Sequence, residues 1–77
     1  QGQVKKPGEF IVNPSVDVMQ ALSMAGGATA FASLANIVVL RRTAGQQVAL
    51  PFKYTEVLKG RELDQNIMLE AGDVVVV

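Results

Sequence analysis

The chain closes on Val74-Val75-Val76-Val77, four β-branched residues in a row behind Gly72-Asp73. Branching at Cβ favours extended backbone. Successive side chains of a strand point to opposite faces, so a run that is apolar at every position has no side fit for water. The last segment is therefore expected in the middle of a sheet, with earlier strands on both flanks and a helix laid over it.

The earlier segments supply those elements. Gly2-Gln3-Val4-Lys5-Lys6-Pro7-Gly8-Glu9-Phe10-Ile11-Val12 reads as two short antiparallel strands, 2–6 and 9–12. Pro7-Gly8 suits the centre of a type II turn, and a bulge is expected because tight hairpins prefer the primed turns. Ser15 to Ala25 predicts the main helix, with Ser15 as cap, Asp17 in the first turn, and Gly26 as the left-handed stop. Asp17, Gln20 and Ser23 make its polar side; Val18, Met19, Leu22 and Ala25 make the apolar one. Residues 28–35 form a helical turn or packed loop with Phe31 and Leu34 on one side. Asn36–Arg42 is β-branched and reads as a buried strand. Thr43-Ala44-Gly45-Gln46 is a turn, and Gln47–Phe52 returns at an edge, since Pro51 donates nothing to a ladder. Lys53–Gly60 is a short second helix, Asn66–Leu69 is extended, and Glu70–Asp73 is a turn. The fold class is α+β: a β-grasp-like mixed sheet with one main helix across it and a short second helix.

With 77 residues the chain makes one small domain, 1–77. It has neither His nor Cys. A zinc site of the usual kind, a disulfide, and a Ser-His or Cys-His couple are all excluded. No apolar run reaches the roughly 20 residues of a membrane helix. The chain opens on Gln1 without a signal-peptide pattern, so it reads as an excised domain whose targeting segment lies elsewhere. The net charge of zero hides a block structure. Residues 1–61 hold seven bases and three acids, net +4; residues 62–77 hold four acids and no base, net −4. Either the tail folds back and the charges mix, or the domain is two-poled and pairs head to tail with a copy of itself. A neutral chain without a basic, aromatic-interleaved stripe is not expected to bind nucleic acid.

Candidate binding residues are few. Arg41 and Arg42 end a strand, one on each side of the sheet, and a guanidinium fork suits a sugar carboxylate or a phosphate. The plainer role is a solvated strand end or an ion pair with the acidic tail. Tyr54 opens a helix and is expected to be partly exposed, whereas Phe10, Phe31 and Phe52 are expected in the core. Gly26-Gly27 follows a helix and reads as its stop, not a phosphate cradle. Asp73 is expected to bond its own turn. The pairs Glu62/Asp64 and Glu70/Asp73 have no cleft to raise a pKa, so no catalytic residue and no enzyme is expected.

The order of motifs is similar to one family. Gly2-Gln3-Val4, Pro7-Gly8, Phe10, the helix ending Ala25-Gly26-Gly27-Ala28-Thr29, Val38–Arg42 and Leu69–Val77 resemble the SLBB domain, the soluble-ligand-binding β-grasp. Ala71 stands where the family usually has Pro, which loosens the turn but keeps its Gly and Asp. Within the family the frame is most similar to outer-membrane polysaccharide export proteins. That resemblance implies a non-enzymatic periplasmic module of an outer-membrane-associated protein. Such modules stack in homo-oligomeric rings beneath a translocation pore and serve capsule or exopolysaccharide secretion. It implies polysaccharide as partner, no cofactor or metal, and no membrane contact by the domain itself. The other reading is a module of a different SLBB protein that holds a small soluble ligand such as a sugar or cofactor.

Overall fold

A computed structural model describes residues 4–6, 9–11, 15–25 and 37–77. In chain order these form β1 (Val4–Lys6), β2 (Glu9–Ile11), α1 (Val18–Met24), β3 (Ile37–Thr43), β4 (Gln46–Phe52), α2 (Tyr54–Leu58), a 3-10 turn (Leu63–Gln65) and β5 (Val74–Val76). The strands make one sheet in the order β1-β2-β5-β3-β4, so the valine segment lies at its centre. Its pairings are Phe10 with Val75 on one side, and Val38 with Val76 and Leu40 with Val74 on the other. The α+β architecture is the one expected, with one difference in strand direction. Every pairing among the described strands is antiparallel, where a mixed sheet was expected. The reason is the course of the chain. β2 and β3 run the same way but do not touch; α1 lies on the connection between them, and β5 enters the gap from the opposite end.

The core lies between α1 and one face of the sheet. Val18, Ala21 and Leu22 of α1 join Ile37 and Val39 of β3, Phe52 of β4, Val57 of α2, Leu69, and Val75 of β5. Polar Gln20 and Ser23 are exposed, as the helical period demands, and so is Met24. The cap differs from expectation. Asp17, not Ser15, holds the N-cap: its Oδ1 accepts the Gln20 N–H at 2.8 Å, while Gln20 Oε1 accepts the Asp17 N–H at 2.9 Å. Ser15 precedes it at φ 83°, a left-handed conformation outside the helix. The remaining early amides find partners from far along the chain. Val18 N–H donates to the Ile67 carbonyl at 3.1 Å and Met19 N–H to Asn66 Oδ1 at 2.9 Å.

Thr43 pairs with Gln46 across a two-residue turn, Ala44 at φ 53° and Gly45 at φ 79°. Two positive φ values are the mark of a type I′ turn, whose twist matches that of the strands. Pro51 lies on the edge strand β4, as expected. β1 and β2 shift register between Val4 and Lys6, the irregularity that the Pro7-Gly8 sequence suggested. The expected turn at Pro7-Gly8, the Gly26 stop, the 28–35 turn or loop, and the side chains of Phe10 and Phe31 lie outside the described residues.

Candidate functional site

Alternation along β3 puts Arg41 on the helix-covered face with Ile37 and Val39, and Arg42 on the other. Strand β5 begins at Val74, opposite Leu40, so both arginines stand just past the end of that pairing. Here the turn into β5 meets them.

That turn runs from Glu70 to Asp73. Asp73 N–H donates to the Glu70 carbonyl at 3.0 Å, and Gly72 takes φ 90°. A positive φ at the third position alone is the type II geometry, which Gly enters without strain. The turn aims the Asp73 carboxylate inward, where it is 1% exposed. Arg41 grips it with both arms of its fork: Nε donates to Oδ1 at 3.1 Å and Nη2 to Oδ2 at 2.8 Å. Oδ2 also accepts the Glu70 N–H at 2.8 Å. Arg41 Nη2 donates again to the Met68 carbonyl at 3.0 Å, and Nη1 lies 3.3 Å from Glu70 Oε2. No buried side-chain N or O among the described residues lacks a partner.

Two opposed effects set the ionisation of Asp73. Burial pushes its carboxyl up; the Arg41 hydrogen bonds and charge, with the Glu70 amide, outweigh burial and hold it below the usual carboxylate range. Its hydrogen bond to Asp73 in turn raises the Arg41 guanidinium above its ordinary value, against the opposing pull of burial. The pair is ionised at neutral pH, and both donor arms of Arg41 are engaged. Arg41 is therefore a fastener for β5 and not a free ligand for an anion. This is the ion pair with the acidic tail, and Asp73 does bond its own turn. Lys53 lies 3.8 Å from Glu62 in a second pairing of the two charge blocks. Opposite charges thus mix among the described residues, and the two-poled surface expected as an alternative is not formed there.

Arg42 has a different setting. It is exposed and opposes Gln47 on β4. No ion pair of Arg42 is present among the described residues. Beside it a groove of about 490 Å³ runs between the β3–β4 hairpin and the turn, lined by Arg41, Arg42, Gln47, Gly72, Asp73 and their neighbours. Its two acids, Glu70 and Asp73, both face Arg41, which leaves Arg42 as the cation turned to solvent. Tyr54 is not part of this groove; it opens α2 and packs half-buried against the core. The structure therefore brings two of the three candidate residues together and separates the third. Asn66 and Gln65 escaped the sequence reading. Asn66 serves the start of α1, and Gln65 Oε1 accepts the Lys53 N–H at 2.7 Å before α2. Their sole sequence signal is a pair of amide side chains in a loop, which names no partner.

A family model, the SLBB domain, matches residues 1–77. The chain belongs to the SLBB domain family. The SLBB domain is by its name a soluble-ligand-binding module. Comparison with curated proteins and with solved structures returned no match. The family's closing Gly-Asp has a clear task in this SLBB domain: Gly72 shapes the turn and Asp73 ties it to β3. Ala71 in place of the usual Pro leaves that turn intact.

Proposed function

We propose that this SLBB domain is a non-enzymatic periplasmic module of an outer-membrane polysaccharide export protein. It packs beside equivalent domains in a ring-shaped conduit and touches the passing glycan at Arg42. The observation that carries this reading is the open groove, whose converging charges are already matched within the fold. A receptor for a small soluble ligand needs a concave pocket with unmatched polar groups aimed into it. In this groove Arg41, Glu70 and Asp73 satisfy one another, and Arg42 with Gln47 remains at the mouth. Such a surface suits brief contact with a carboxylated or phosphorylated chain better than tight retention of a small molecule. The frame of motifs shared with the export proteins supports the same choice.

Two experiments separate the readings. Light scattering on the chain with its natural flanking sequence should give a large, defined ring; a monomer at every concentration contradicts the conduit. Titration with an acidic oligosaccharide should show weak binding that Arg42→Ala abolishes and Arg41→Lys leaves in place. Tight binding of a neutral sugar or a cofactor, unaffected by Arg42→Ala, would favour the small-ligand module.

A further inference from the structure

The outer edge of β4 is open among the described residues. There the strand pairs with β3 alone, and Gln46 to Ala49 are exposed. Sheet edges are usually guarded by charged side chains, above all Lys. β4 has none: Gln46-Gln47-Val48-Ala49-Leu50-Pro51-Phe52 is uncharged throughout, whereas β1 at the other edge carries Lys5 and Lys6. The hairpin fixes which backbone groups face outward. Thr43 and Gln46 close a two-residue turn as a hydrogen-bonded pair, so bonded pairs recur at Arg41/Val48, Val39/Leu50 and Ile37/Phe52. Gln47, Ala49 and Pro51 then direct their backbone groups away from β3. Pro51 occupies a position where its missing N–H breaks no ladder bond, and its ring ends the usable edge. What remains is the N–H and C=O of Gln47 and of Ala49.

We propose that a second copy of this chain adds its β4 to this edge, antiparallel about a two-fold axis at Val48. In that register Gln47 of each copy faces Ala49 of the other, and both exchange N–H and C=O. Val48 meets the second copy's Val48, Gln46 meets its Leu50, and no like charges oppose one another. Pro51 falls beyond the last bond. A two-fold centred on Ala49 instead sets the Pro51 ring against the Gln47 carbonyl, which disfavours it. The match is isologous, one edge serving both copies, so it is distinct from the contacts of a ring and does not rest on the export reading. The contact is short and belongs to the weak, transient class of interfaces.

The chain has no cysteine, so one introduced thiol reports the register. Val48→Cys and Gln46→Cys carry exposed thiols on the same side of the same strand and differ only in distance from the axis. A facing non-bonded pair stands at about 4.5 Å between Cα atoms, within the range a disulfide spans. The two Gln46 positions would lie about 14 Å apart at 3.4 Å per residue. Under mild oxidation at high protein concentration, Val48→Cys is expected to give a covalent dimer and Gln46→Cys none. Dimer from both variants alike, or from neither, overturns the proposal.

Discussion

The two faces of the central strands are built differently. On the helix side Ile37, Val39 and Val75 are buried beneath Val18, Ala21 and Leu22, and the face ends at Arg41, locked to a buried carboxylate. On the other side Val38, Leu40, Val74 and Val76 are half-buried, and the face ends at Arg42, turned to solvent. Adjacent residues of one strand thus stand in different settings. The covered face holds the fold together; the other, open among the described residues, is apolar along β3 and β5 and ends in a cation.

The sharpest way to break this contrast is a charge in the middle of each face. Val75→Asp places an unpaired carboxylate where nothing can solvate it. It should cost more than about 4 kcal/mol and leave a chain of this size largely unfolded. Val76→Asp, on the open face, should cost about 1 kcal/mol. Circular dichroism and urea midpoints on the two variants measure the gap; equal losses would mean the faces are alike. The arginines repeat the test at lower amplitude. Arg41→Ala strands the buried Asp73 carboxylate, at about 3 kcal/mol or more. Arg42→Ala should stay within about 0.5 kcal/mol, the range of an ordinary surface change.

Acid sharpens the same point. The native Asp73 carboxyl ionises below its unfolded value of about 3.9, so its contribution is complete above that pH. It is lost as pH falls through the lowered native value. Urea midpoints should therefore drop below about pH 4, and the drop should shrink in Asp73→Asn. A wild-type midpoint unchanged between pH 6 and pH 3 would deny the ion pair its role. The smallest effect belongs to the hairpin tip, away from both faces. Ala44 at φ 53° carries the strain of a left-handed non-glycine residue, about 1 kcal/mol. Ala44→Asn should recover most of that, raising the melting temperature by about 5 °C in a domain of this length.

Much of this architecture was legible because a few segments admit one solution. Four valines have no wet side, so β5 had to be central. Pro51 had to lie on an edge strand. Asp73 was legible in part: its local turn follows from Gly72-Asp73, and an ion pair between Arg41-Arg42 and the acidic tail was foreseeable. Which arginine takes it depends on where β5 starts along β3, and that register is a tertiary fact. The shift of the helix cap from Ser15 to Asp17 has a similar origin. Both residues can cap, and the choice falls to Asp17 because Gln20 completes the reciprocal bond, while Asn66 and Ile67 supply acceptors for the next two amides. The isolation of Tyr54 from the groove was not legible either, since nothing local to α2 tells which end of the sheet it lies against.

Native-state hydrogen exchange on Val74, Val75 and Val76 tests the central claim most directly. Paired on both sides at the centre of the sheet, their amides should open only with global unfolding, and Arg41→Ala should speed all three in step with its loss of stability. Exchange as fast as that of the exposed amides at 62–64, indifferent to Arg41, would show the closing segment to be a frayed end, and the covered and open faces built around it would not exist.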